Sequence, residues 1–254
     1  MSTGQIADGR VPASLGAATR PAGLRGRLPL ATRAALVESL DAGPVERGEM
    51  ARNLADLARL ALLPGGTGAS IAAVAHLTGG GPGASIIDVG AGRGDTAHAF
   101  ARRGWRTVAL DSHPEVLDAA RRAARDPLVE VAAGDARSLP YPDRAFDVGH
   151  CSLLLHHLDP ADAISMLREL SRVSRMGVVV NDLRRGLLAF VATGVGVALL
   201  GRCRTTRVDG LISARRAYTL RELDALLAAA GLERRWRSPA LLPRVATAAG
   251  RAAS

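Results

Sequence analysis

Lysine is absent from the 254 residues, so all 33 basic side chains are arginine. Against 24 acidic residues they give a formal charge of +9 and a pI of about 11.2. Such a balance ordinarily raises nucleic acid or an anionic membrane as a partner. An all-arginine chain also rich in alanine and glycine points instead to G+C-rich coding. Aromatic residues make up only 3% of the chain, which leaves few platforms for stacking bases, and the arginines are scattered, so nucleic acid is discounted. The two cysteines, Cys151 and Cys203, lack metal-ligand spacing. That argues against a cysteine-based metal site and makes reduced thiols in a cytoplasmic protein the default. The first ten residues lack the apolar core of a signal peptide, which argues against secretion. The apolar run Leu187–Leu200 is shorter than the roughly 20 residues that span a bilayer. It is read as a buried or lid helix, and Arg184, Arg185, Arg202 and Arg204 around it keep contact with a membrane surface open.

What is present is a substantial apolar content, 48%, enough for the core of one α/β domain with an N-terminal extension. Its organising stretch runs from Ser85 to Asp95, reading Ser-Ile-Ile-Asp-Val-Gly-Ala-Gly-Arg-Gly-Asp. Ile86, Ile87 and Val89 make a short apolar strand of the kind found inside a parallel sheet. Gly90, Gly92 and Gly94 then allow a tight turn with a ligand lying against the backbone. Asp95 and Thr96 are expected to supply N-cap chemistry for a helix that Gly104 closes. The dinucleotide fingerprint requires a third small residue where Asp95 stands, so that reading fails.

A second strand, Trp105 to Leu110, ends in Asp111, about 20 residues past the first glycine, where a carboxylate can accept from both hydroxyls of a ribose. A third, from Val129, leads to Gly134-Asp135-Ala136, and Leu139-Pro-Tyr-Pro-Asp143 approaches a fourth at Phe146-Asp147-Val148. The ordered set, from Asp88-x-Gly-x-Gly-x-Gly94 onward, resembles class I S-adenosylmethionine-dependent methyltransferases over about residues 84–182, in particular bacterial small-molecule enzymes of quinone and polyketide type. The resemblance implies a three-layer α/β/α Rossmann-like fold with a seven-stranded, mostly parallel sheet, an antiparallel last strand and additional N-terminal helices. It implies S-adenosylmethionine as cofactor, with Asp88 and the turn Gly90, Ala91, Gly92 and Gly94 at the methionine end, and Asp111 on the ribose. It further places Ser112 and Ala136 beside the adenine, Asp135 on its amine, Gly134 among the cofactor-binding residues, and Cys151 as a buried thiol lining the cofactor cavity.

In the family, the residues after strand four face the methyl group, here Gly149 to Leu158. The Asn/Asp-Pro-Pro-aromatic run of amide and adenine N-methyltransferases is missing there, as is a Pro-Cys nucleophile. His157 and His156 are the candidate bases, since an imidazole can deprotonate a phenol or enol. Packing under the next helix is the plainer role for either ring. A metal site of Cys151, His156, His157 and Asp159 is rejected for want of a second ligand cluster. Asn181, Asp182 and Tyr218 are assigned to polar substrate contacts, with Arg215 and Arg216 read as surface residues.

In chain order, residues 1–30 are expected to be a disordered extension and 31–80 a helical cap, with helices over 30–40, 45–63 and 68–77. Packing against the sheet edge is favoured over substrate contact for their apolar stripes. Residues 81–254 form the main domain, with strands at 85–89, 106–110, 128–132, 145–151 and 177–181 alternating with helices at 95–103, 114–124 and 160–174. A helical substrate-region insertion covers about 183–217. Thr219 and Glu222 form a capping box, and strands at 232–238 and 244–249 close the sheet, the second weak by propensity. The reading that follows is methyl transfer to an oxygen or carbon of a hydrophobic phenolic, enolic, quinol or polyketide-like molecule. RNA methylation, favoured only by charge, and an inactive partner protein are the alternatives, and the oligomeric state is left open.

Overall fold

The structure is a computed structural model that describes residues 30, 32–36, 47–239 and 243–252. Most of the expected 1–30 extension and parts of the expected 30–40 and 45–63 helices lie outside the described residues. Seven strands form one sheet: β1 (Ser85–Val89), β2 (Arg106–Asp111), β3 (Val129–Ala133), β4 (Phe146–Ser152), β5 (Ser174–Leu183), β6 (Leu232–Arg237) and β7 (Arg244–Arg251). Their order is β3-β2-β1-β4-β5-β7-β6. The pairs from β3 through β5 are parallel, and β7 runs antiparallel between β5 and β6. The strand order reverses between β1 and β4, so their carboxyl ends open the crevice in which doubly wound sheets bind ligands.

Eight helices accompany the sheet among the described residues: α1 (Arg47–Leu60), α2 (Thr67–Thr78), α3 (Asp95–Ala101), α4 (Pro114–Ala123), α5 (Pro160–Val173), α6 (Leu187–Leu200), α7 (Arg204–Arg216) and α8 (Leu220–Ala229). The period-2 alternation of the strands sorts the core into two layers. Ile87, Val89, Cys151, Val178 and Val180 face α5 and α8, where Leu167, Leu170, Leu226 and Leu227 are buried. Ile86, Val148, Val179, Ala246 and Ala248 face the other way, toward Ala73 and Val74 of α2 and Phe100 of α3. Trp105 completes that layer fully buried, and its indole N–H donates to the Gly81 carbonyl at 2.7 Å.

Several boundaries move. β5 is twice as long as expected because a parallel neighbour, β4, and an antiparallel one, β7, pair along it. β7 forms despite its alanines: residues 245–249 are almost wholly buried, and burial between two layers outweighs intrinsic propensity. The insertion holds two helices, α6 and α7, rather than the one expected. Residues 32–36 are irregular instead of helical, and Ala34 N–H donates to the Arg215 carbonyl. The capping box is present, with Glu222 N–H on Thr219 Oγ1 at 3.3 Å and Thr219 N–H on Glu222 Oε2 at 2.7 Å. The cap on α3 is not: Gly94 holds the N-cap position without a side-chain bond, and Asp95, inside the helix, binds Arg93.

Candidate active site

The first cavity lies on the glycine turn. Gly90 and Gly92 adopt φ of 67° and 58°, and a Cβ on Gly90 would sit 2.9 Å from Leu154 Cδ2. The conformation favours glycine at position 90, and any side chain there would also have to displace Leu154. The turn is pinned to the neighbouring strand, because Gly90 and Ala91 N–H both donate to the Leu110 carbonyl. Gly92 N–H donates to Asp111 Oδ2 and His113 N–H to Oδ1, each at 3.1 Å, which fixes the Asp111 carboxylate at the end of β2. Ser112, beside it, is exposed. Gly134 approaches Leu110 so closely that a Cβ would lie 2.9 Å from its Cδ1. Asp135 is exposed and accepts from Arg137, whose side chain is the main cause of a carboxyl pKa below its ordinary range. An adenine amine would share that carboxylate with Arg137. Ala136 packs against the core.

Beneath the turn runs a buried polar chain. The parallel register sets Asp88 opposite His150, and their side chains point to the α2 layer. His150 Nδ1 lies 2.7 Å from Asp88 Oδ1 and its Nε2 lies 2.9 Å from Ser70 Oγ. Asn181 Nδ2 donates to Ser70 Oγ at 2.8 Å and to the Gly66 carbonyl at 2.9 Å. Buried polar groups are stable only when paired in this way. Asp88 Oδ2 and Asn181 Oδ1 are the exceptions, with no hydrogen-bond partner among the described residues, and of the two residues Asp88 lines the cavity.

The second cavity, about 850 Å³ including its open mouth, is walled by α1, α6, α7 and the corner after β4. Its lining is apolar, with Leu57, Leu60, Leu63, Leu183 and Val197, and is interrupted by Asn53, His156, His157, Asp209 and Arg244. That composition, apolar walls with a few convergent polar groups, is typical of small-molecule sites. The two cavities share Leu57, Leu153 and Arg244 as walls. α1 therefore covers both cavities and α2 packs on the face of the sheet over β4, β5 and β7, a correction to the sheet-edge packing expected of these helices.

His156 and His157 both face this second cavity, their ring centroids 4.3 Å apart. His156 Nδ1 is 2.5 Å from Asp182 Oδ1, and its backbone N–H donates to Oδ2. Burial alone would raise the Asp182 carboxyl; the His156 ring and the N–H groups of His156 and Leu183 hold it below its usual range. A carboxylate on Nδ1 places a ring proton on that nitrogen, so that Nε2 is the acceptor whenever the ring is neutral. The carbonyls of this loop are clamped in turn. Arg216 donates to His156 and His157, Arg33 to His156 and Leu158, and the Tyr218 hydroxyl to Leu158 at 2.7 Å.

Several side chains stand elsewhere than their expected roles require. Asn181, expected at the substrate, is fully buried in the Ser70 chain, because its position on β5 turns it toward α2. Asp182 backs His156 instead of facing a substrate. Tyr218 is 5% exposed with its hydroxyl on the loop, and burial pushes its phenol up to about 12. Cys151 sits in the core layer with Val89 and Leu155, and burial raises its thiol well above the ordinary range. Arg216 is buried, not a surface residue, since its guanidinium serves the loop. Arg244, with no signal in the sequence beyond a weak strand, lies between the cavities. So does Leu153, a non-glycine residue at φ 53°. Among the described residues no group of three or more His, Cys, Asp or Glu is placed to hold a metal ion.

A seven-stranded sheet of this order, with a glycine turn after β1 and an acid ending β2, defines the class I methyltransferase architecture, whose methyl donor is S-adenosylmethionine. Residues 86–177, little more than a third of the chain, match the family model described as "Methyltransferase domain". Among curated relatives, the malonyl-[acyl-carrier protein] O-methyltransferase of Serratia marcescens is 36% identical over 99 residues, 39% of this chain and 37% of that protein. The demethylmenaquinone methyltransferase of Renibacterium salmoninarum is 35% identical over 97 residues, 38% of this chain and 39% of that protein. These matches thus span little more than a third of the relatives' length. Among solved structures, a SAM-dependent methyltransferase from Aquifex aeolicus superposes with a TM-score of 0.59 at 18% identity, covering 81% of this chain and 98% of that one, which shows the shared fold.

Proposed function

We propose that this chain is an S-adenosylmethionine-dependent methyltransferase acting on an oxygen or carbon of a hydrophobic small molecule of phenolic, enolic, quinol or polyketide-like type. The observation that carries the reading is the contact between the two cavities. A glycine-turn pocket and an apolar cavity share the walls Leu57, Leu153 and Arg244, and two histidines line the far side. The residues of the first pocket suit the donor. Asp111, at the end of β2 and outside the pocket's lining, is held for a ribose; within the lining the glycine turn leaves backbone within reach, and the unpartnered Asp88 Oδ2 suits a cation. The bound donor supplies an electrophilic methyl group. The chain's own part is to hold the acceptor against it, exclude water, and take a proton where the acceptor carries one.

For that proton, His156 is the base and Asp182 its positioning residue. His157, in the same wall, is the second candidate. The names of the two curated relatives, one an O-methyltransferase and one acting on demethylmenaquinone, support a small acceptor. RNA methylation has no such support, since many arginines are neutralised by acids spread around the molecule, at Asp159, Asp95, Glu169, Asp147 and Asp224 among others. No helix among the described residues is long and apolar enough to cross a membrane. Leu188, Val191, Val195 and Leu199 of α6 nevertheless form an exposed apolar stripe, and Arg202, Arg204 and Arg207 beside it are exposed too. That surface supports peripheral contact with an anionic bilayer.

The test is calorimetric titration with S-adenosylmethionine and S-adenosylhomocysteine, with NADH as control. Micromolar binding of the first two alone is expected. Asp111→Ala should weaken it by about tenfold or more, the worth of charge-assisted hydrogen bonds to hydroxyls, with little change in melting temperature. Unchanged affinity in that variant would remove Asp111 from the ribose.

A further inference from the structure

Arg244 opens β7 and lies across the carboxyl ends of β4 and β5, its Nη2 donating to Ser152 Oγ at 2.8 Å. It is 6% exposed, and its Nε and Nη1 have no hydrogen-bond partner among the described residues. Its pKa is drawn down by burial to about 10, with Asp182 pulling the other way, so the group stays cationic at neutral pH. A buried guanidinium with two idle donors is costly unless an anion meets it. The side chain also lines the apolar cavity, where Asp209 on α7 is the acid of the lining.

We infer that Arg244 is the anion-recognition point of the acceptor cavity, and that the acceptor is an otherwise apolar molecule bearing a carboxylate. This rests on reading the cavity as the acceptor site. Two features favour the acceptor over the donor's own carboxylate. The donor's carboxylate sits beside its own ammonium and near a sulfonium, and these two positive charges offset much of its attraction for a guanidinium. The glycine-turn pocket already pairs its other cation, Arg93, with Asp95. The cavity, in contrast, offers apolar walls for a body and one fixed cation for an acidic end. Recognition of a planar carboxylate is the usual work of a guanidinium.

The test is binding, measured without donor. Salicylate and 1-hydroxy-2-naphthoate are titrated against their primary amides, in the wild-type protein and in Arg244→Met and Arg244→Lys. At least one acid should bind about tenfold or more tighter than its amide, as expected for charge-assisted hydrogen bonds. Arg244→Met should erase that preference, and Arg244→Lys should keep part of it. The melting temperature of Arg244→Met should hold or rise, because an unsatisfied buried charge is removed. Equal binding of every acid and its amide would overturn the inference, as would a lowered melting temperature in the Met variant. S-adenosylhomocysteine titrations keep the two readings apart. If Arg244→Met weakens that ligand tenfold and leaves the acid preference untouched, the guanidinium belongs to the donor. If the wild type binds no S-adenosylhomocysteine at all, the donor reading fails while the acid preference is still decided.

Discussion

The glycine-turn pocket draws much of its wall from one stretch, Asp88 to Thr96, closed by α1 from above. The apolar cavity is assembled from α1, α6, α7, the corner at Leu153 to His157 and the start of β7. Backbone makes the first and side chains make the second. A pocket of backbone groups is set by φ, ψ and sheet register, which tolerate few substitutions. A pocket of side chains on peripheral helices can be relined without disturbing the sheet. On the proposed reading, donor binding and the choice of acceptor therefore occupy separate architecture, in line with function residing in sites carried by a fold.

The comparison is broken most severely at position 90. Gly90→Val places a branched side chain at φ 67° against Leu154, and should abolish S-adenosylhomocysteine binding and destabilise the fold by about 2–4 kcal/mol. Calorimetry and thermal melts check both, and retained micromolar binding would show that the pocket is less dependent on backbone than argued. Next is Asp182→Asn, on the side-chain half. Turnover of a phenol that the wild-type protein methylates should fall about a hundredfold, the usual worth of an oriented base, while S-adenosylhomocysteine affinity holds within about twofold. His157→Ala should cost much less; the reverse ranking would move the base to His157. The smallest effect is expected on the outer surface. Leu188→Glu with Val195→Glu should reduce co-sedimentation with phosphatidylglycerol vesicles several-fold and leave donor binding unchanged. Equal sedimentation of variant and wild type would remove α6 from any membrane role.

The same contrast explains what could be read from the chain alone. The glycine turn, Asp111 about 20 residues on, the order of the strands and the Thr219–Glu222 box are local patterns, and they stand where expected. Asp182 is 26 residues from the ring it orients, His150 is 80 from Ser70, and Arg244 is 92 from Ser152. No spacing rule connects such pairs, since only the crossovers bring them together. Asp182 and Asn181 illustrate the limit. As adjacent polar residues ending a strand they look alike in sequence, yet the two-residue period of β5 sends one to His156 and the other to Ser70. α1 was legible as a helix but not as a roof, because its amphipathic pattern is the same whether it faces a sheet or a cavity.

Leu153 keeps its side chain on the wall of both cavities by adopting a backbone conformation that costs a leucine about 1–2 kcal/mol. Ser152 on one side of it holds Arg244, and Leu154 on the other rests against Gly90. The corner is thus a septum, one residue thick, strung between an anchor on each side. With Leu57 and Arg244 it is the partition between the two cavities, so a change at this corner is felt on both sides at once.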